Sequence, residues 1–337
     1  MIHTRGLTRH FRVKDQVVEA VRGIDLDVAE GELVAFLGPN GAGKSTTLRM
    51  LTTLLTPTAG TAEVAGVDVV ASPARVRERI GFIGQGNGAG HSHRVGDELV
   101  TQGRTYGLDR AAARTRAGEV LEAFGLSDMV DRKVSTLSGG QQRRLDIAMG
   151  MVHHPTLLFL DEPSTGLDPQ NRANLKEHIL ALRRDHHATV VLTTHYLDEA
   201  DALADRVIVI DHGRVIADDT PVRLKSDLVG DLVSVTAFDD VDAARVAAAL
   251  EALAPGRPVQ RQGVEVSARI PGGASVLPEL LRHLDQQGTP AASAEVARAT
   301  LDDVFLHLTG RSLRESAMGD ASVDTTPSTP TLQEQAS

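Results

Sequence analysis

Three stretches of the chain are almost purely apolar and strand-sized: "ELVAFL" within Gly31–Gly38, "LLFL" before Asp161, and "TVVLTT" before His195. Unbroken apolar runs of this length fit strands buried on both faces of a parallel sheet. Between them, apolar side chains return at helical spacing, as in "KSTTLRMLTTLL" and "QQRRLDIAMGMV". A segment beginning at Asp168 reads as a helix with Asp168 at the N-cap, Pro169 at the first helical position, and Arg183 and Arg184 at its cationic end. "DRVIVIDHGRVIA" reads as a late antiparallel hairpin turning at His212-Gly213. Alternation of this kind over residues 1–230 predicts an α/β domain.

Beyond it the pattern changes. Residues 231–310 read as strand "LVSVTAF", helix "DAARVAAALEAL", strand "VEVSARI", helix "VLPELLRHLDQQG" and strand "SAEVARA", followed by "LDDVFLHL". This predicts a small α+β domain, possessing no chemical constellation of its own and suited to a regulatory or dimerising role. Residues 311–337 are rich in Ser, Thr and Pro and poor in apolar residues, which predicts a disordered tail.

Composition narrows the class. Of 337 residues 41% are hydrophobic, enough for a substantial core, and the absence of Cys excludes disulfides and thiolate zinc sites and suits a reducing compartment. The N-terminal segment has no apolar signal-like region and no run reaches membrane-span length, so a soluble chain is expected. A formal net charge of −10 argues against broad adhesion to nucleic acid, and no nucleic-acid partner is expected.

The chemistry concentrates in three motifs. "GPNGAGKST" (Gly38, Pro39, Asn40, Gly41, Ala42, Gly43, Lys44, Ser45, Thr46) fits the phosphate-binding loop pattern and lies between a predicted strand and a predicted helix. Its glycines let the backbone wrap a phosphate chain, Lys44 adds a point charge, and the Ser45 hydroxyl suits Mg²⁺. At the end of "LLFLDEP", Asp161 is placed for a Mg²⁺-contacting carboxylate and Glu162 for acting on water. "LSGGQQRR" supplies a second anion cradle, with Ser138, Gly139, Gly140 and Gln141 at a helix N-terminus. ATP and Mg²⁺ are the expected ligands.

The three motifs in this order resemble those of the ATP-binding subunits of ABC transporters. The resemblance implies the fold of a P-loop ABC-type ATPase, with a mixed sheet and a helical subdomain. It also implies two subunits stacked head to tail, so that Ser138, Gly139, Gly140 and Gln141 meet the ATP held by the partner's phosphate loop. On the same ground Phe11 falls where a ring stacks on adenine, and Gln85 where a glutamine contacts Mg²⁺ and links the site to the membrane partner. Ser164, Gly166, Leu167 and Asp168 fall in the loop that communicates across the dimer, and His195 where a histidine contacts the γ-phosphate. "TTHYLDEADALADRVIVIDHGRVIADDTP" and "ATLDDVFLHLTGR" look like daunorubicin-resistance-type ATPases. That likeness implies a peripheral subunit on the cytoplasmic membrane face, energising a separately encoded permease that exports a drug, antibiotic or lipid-like compound. The working dimer would be a homodimer or include a related ATPase chain. Two rivals stand beside it: an ATPase of the same superfamily acting on ribosome or DNA, and a module that holds ATP without turnover. One departure from the family pattern is "GNGAGHSHRVGDELV" after Gln85, glycine-rich where apolar residues usually line the groove for the permease. This predicts either a polar, flexible docking surface or altered coupling. Its His91 and His93 fit a solvated loop better than a metal site.

Overall fold

The computed structural model describes residues 1–14, 16–86 and 88–312. The predicted tail lies outside the described residues from position 313 onward.

The apolar runs form the centre of a six-stranded sheet. In chain order its strands and their neighbours are β1 (Ile2–Val13), β2 (Gln16–Val28), β3 (Leu33–Leu37), α1 (Lys44–Leu51), β4 (Ala59–Val64), β5 (Val67–Asp68), α2 (Pro73–Arg77), β6 (Ile80–Ile83), α3 (Val95–Thr105), α4 (Arg110–Ala123), α5 (Gly139–Met151), β7 (Leu157–Asp161), α6 (Pro169–His186), β8 (Thr189–Thr194), α7 (Leu197–Leu203), β9 (Arg206–Asp211) and β10 (Arg214–Asp219). The sheet order is β10-β9-β3-β8-β7-β6. All neighbours run parallel except β9 and β10. Every residue of β3, β7 and β8 is buried, as unbroken apolar strands between two layers must be. An antiparallel sheet, β2-β1-β4-β5, covers one side together with α1. Helices α3 to α7 share the core on the other side.

Local sequence accounts for the boundaries. Asp168 caps α6 by accepting from the Asn171 amide at 2.8 Å, with Pro169 at the first helical position. The helix runs past the expected arginines to His186 and stops at His187, which takes φ 49°. His212 (φ 46°) and Gly213 (φ 76°) both adopt the left-handed conformation that a two-residue hairpin of this twist requires.

After β10, α8 (Pro221–Arg223) continues into a π-helical turn, Leu224–Val229. The chain then forms β11 (Asp231–Thr236), α9 (Asp240–Leu253), β12 (Val259–Gln262), β13 (Glu265–Ile270), α10 (Gly273–Gln286) and β14 (Ser293–Ala297). The strands pair antiparallel in the order β12-β13-β11-β14, and α9 and α10 bury a separate core around Val233, Val246, Val266 and Leu284. The last helix, α11 (Leu301–Thr309), falls within the stretch whose pattern predicts the small α+β domain. It instead buries Leu301, Val304 and Phe305 in the larger core, against residues such as Leu203 and Leu224. The small sheet is therefore an excursion: it leaves at Asp231 and returns at Ala299, whose amide donates to Asp231 Oδ1 at 3.2 Å. No helix among the described residues is long and apolar enough to cross a membrane.

Candidate nucleotide site

The glycine loop turns from the end of β3 into α1, the strand-to-helix context that the motif needs. Gly43, at the N-cap of α1, has φ 105°, and a Cβ there would lie 2.5 Å from the Ala20 carbonyl oxygen. Only glycine fits this position. The β9–β10 turn braces the loop, since the Gly213 amide donates to the Ala42 carbonyl at 2.9 Å. Lys44 is buried; its Nζ donates to the carbonyls of Gly38 (2.7 Å) and Pro39 (2.9 Å) and lies 3.9 Å from Glu162 Oε1. Burial pulls the Lys44 ammonium below its ordinary pKa, while the nearby Glu162 and Asp161 carboxylates pull it back up.

Asn40 to Thr46, Gln85 and Glu162 line one open cleft of about 350 Å³. Asp161 ends β7 beneath it, and its Oδ1 accepts from the hydroxyls of Ser45 (2.8 Å) and Thr193 (2.7 Å). A hydroxyl beside a carboxylate is the hard-oxygen pair that suits Mg²⁺, which needs few protein ligands when phosphate oxygens supply others.

Glu162 follows with φ 47°, unusual for a residue with a side chain. Its amide holds that conformation by donating to Thr193, to the hydroxyl at 2.9 Å and the carbonyl at 3.2 Å. The turn aims the carboxylate back over the loop. There Oε2 accepts from the Thr165 hydroxyl at 3.1 Å and lies 3.3 Å from His195 Nδ1. That nitrogen has no aligned hydrogen bond, so the histidine acts on Glu162 as a close polar neighbour. His195, then the opposing burial, then the Lys44 charge leave the Glu162 carboxyl net below its usual pKa, and it is ionised at neutral pH.

The other motif residues lie elsewhere. Ser138 and Gln141 cap α5 reciprocally: the Ser138 amide donates to Gln141 Oε1 at 2.9 Å, and the Gln141 amide to Ser138 Oγ at 3.3 Å. Neither Ser138 nor Gly139, Gly140 or Gln141 lines the cleft with Lys44. Ser164 is buried, Gly166 takes φ 78°, and the Leu167 amide closes the turn onto the Ser164 carbonyl at 3.2 Å before Asp168 opens α6. Phe11 sits on β1 opposite Val18, outside the cleft lining, with the Arg9 guanidinium 4.7 Å from its ring centroid. His93 bonds Glu98 at 2.5 Å, and among the described residues no group of three or more His, Asp or Glu could hold a metal. Sequence reading missed Thr193, which ties Asp161 to Glu162; the only trace was a hydroxyl two residues before His195.

Comparison with known proteins agrees with this architecture. The ABC transporter family profile matches residues 21–165. The chain is 45% identical over 327 residues to the daunorubicin/doxorubicin resistance ATP-binding protein DrrA of Streptomyces peucetius, covering 94% of this chain and 96% of that one. It is 36% identical over 317 residues to the Nod factor export ATP-binding protein I of Ralstonia nicotianae, covering 94% and 95%. Among solved structures, the post-hydrolysis dimer of the ATP-binding cassette MJ0796 with ADP and Pi aligns at TM-score 0.60 and 25% identity, over 65% of this chain and 98% of that one.

Proposed function

This chain belongs to the family of ABC transporter ATP-binding proteins and is an ATPase of the drug-resistance and export type, and from that premise we propose how its cleft works. The loop from Gly38 to Thr46 holds the phosphates of ATP, with Lys44 exchanging its carbonyl partners for phosphate oxygens. Ser45, Asp161 and Gln85 hold Mg²⁺, which neutralises phosphate charge when bound. Glu162 orients the attacking water and accepts its proton, and His195 holds Glu162 and meets the γ-phosphate. Phe11 stacks on the adenine.

The observation that carries this reading is the Glu162 carboxylate, ionised and held 3.9 Å from Lys44 and 3.3 Å from His195 at the rim of the phosphate loop. Ser138, Gly139, Gly140 and Gln141 lie outside that rim, which supports their meeting a second ATP in a head-to-tail dimer. Ser164 to Asp168 then form the seam between the two sites. In a dimer of this kind ATP closes the interface and loss of the γ-phosphate opens it, delivering alternating force to a partner. That partner is a separately encoded permease, and the chain sits peripherally on the cytoplasmic membrane face. The curated relatives in drug resistance and Nod factor export favour this over action on ribosome or DNA. The small α+β domain predicted over 231–310, of which α11 packs in the larger core, serves regulation or dimerisation.

The test is tagged Glu162→Gln purified from gently solubilised native membranes with and without ATP, followed by mass spectrometry. A co-purifying polytopic membrane protein is the expected result. Ribosomal proteins or DNA-repair factors in its place would withdraw the export reading and leave the ATP chemistry standing.

A further inference from the structure

The helix that starts with the second anion cradle carries two buried charges one turn apart, Arg143 and Asp146, each only 6% exposed. Arg143 reaches three backbone carbonyls on two other segments. Its Nε donates to Pro163 O at 2.7 Å, Nη1 to Gly84 O at 2.7 Å, and Nη2 lies 3.5 Å from Asp161 O. Pro163 directly follows Glu162, and Gly84 directly precedes Gln85. Asp146 takes the opposite end of the Gln85 loop: its Oδ1 accepts from the amides of Gly88 (2.9 Å) and Ala89 (3.3 Å). The backbone on either side of Gln85, at Gly84 and at Gly88–Ala89, is thus tied to one helix.

We propose that Arg143 and Asp146 are a pair of positioning residues, clamping the Gln85 loop and the Glu162 turn to the helix of Ser138–Gln141. The pair makes those three segments move as one body, and any shift of Ser138–Gln141 on a partner's nucleotide is transmitted to Gln85 and Glu162. The chemistry is specific to arginine. A planar fork with five N–H donors spans carbonyls on two segments, whereas a lysine ammonium on a single stem meets one of them. Neither side chain touches the phosphate loop, so the clamp acts on alignment of the reacting groups and not on nucleotide capture. A misplacement of ~1 Å at such groups costs on the order of 10²-fold in rate.

The inference rests on the roles given above to Gln85 and Glu162, and its test separates the two. Full-length Arg143→Lys, Arg143→Gln, Asp146→Leu and the Arg143→Lys/Asp146→Leu double variant are compared with Glu162→Gln. The readouts are thermal melting, affinity for a fluorescent ATP analogue, kcat, and the Mg²⁺ concentration for half-maximal rate. Analogue affinity is expected to stay within about twofold, while kcat falls roughly ten- to hundredfold in all three single variants and half-activation needs more Mg²⁺. The double variant is expected to fall no further than the worse single, as for two prongs of one device. Asp146→Leu, similar in size and without an acceptor for the Gly88 and Ala89 amides, carries the test should Arg143→Gln fail to fold. Wild-type turnover in Arg143→Lys, losses that multiply in the double variant, or a kcat that merely follows the folded fraction would overturn the clamp with the Glu162 reading intact. Full turnover by Glu162→Gln would remove that reading and the clamp together.

Discussion

Cutting the chain after position 230, at the junction the hydropathy pattern suggests, removes more than the small sheet. It also removes α11, whose Leu301, Val304 and Phe305 are at most 2% exposed in the larger core. Each such side chain contributes about 2 kcal/mol by area burial, so the helix supplies about 6 kcal/mol as an upper bound. Allowing for a compact unfolded chain leaves ~4 kcal/mol. Native stability is typically ~5–15 kcal/mol, so the truncated ATPase is expected to be marginal. A second variant isolates the cause. Residues 232–298 are excised and the ends joined by a short Gly-Ser linker, which the contact between Asp231 and Ala299 makes geometrically feasible. That variant keeps α11 and loses, from α11, the half-exposed Arg269–Asp303 pair, worth ~0–1 kcal/mol. Urea unfolding followed by circular dichroism at helical wavelengths is the assay. With m near ~3 kcal/mol/M for a chain this size, the truncation should lower the midpoint by more than ~1 M and the excision by less than ~0.3 M. Equal midpoints for the two variants would refute the assignment of α11 to the larger core.

Glu162→Gln should lower ATP turnover by at least ~10²-fold while an ATP analogue still binds, measured by phosphate release and fluorescence titration. Thr193→Val should lower stability by ~1–3 kcal/mol in urea melts, because the buried Asp161 carboxylate loses a donor and the Glu162 amide a partner. Its kcat should fall with analogue affinity preserved. Because the Glu162 carboxyl sits below its usual pKa mainly through His195, the stability it contributes is present above the ordinary carboxylate range and lost as pH falls through the lowered value. His195→Gln should therefore raise the Glu162 pKa. A carbon-13 titration of labelled glutamate, assigned by Glu162→Gln, would show no upward move if His195 is not the cause.

Features written in contiguous residues were open to sequence reading. The phosphate loop, the Asp168 cap with Pro169, and the His212-Gly213 turn each depend on the conformational preference of a few neighbouring residues, and each folds where the pattern put it. Unbroken apolar runs likewise identified the buried central strands, since only a sheet covered on both faces can hide them. An amphipathic pattern says that a helix has a face to bury and not which core receives it, so only the packing decided that α11 belongs with the ATPase. The reach of Arg143 to Gly84 and Pro163 had no signature either, because a backbone carbonyl looks the same in every residue. Thr193 was hidden for the same reason: its hydroxyl matters only because β7 and β8 lie side by side, with Asp161 opposite it in register. Chemistry along one turn of chain is set by residue type, whereas chemistry between segments is set by which strands and helices become neighbours, and that is a property of the whole fold.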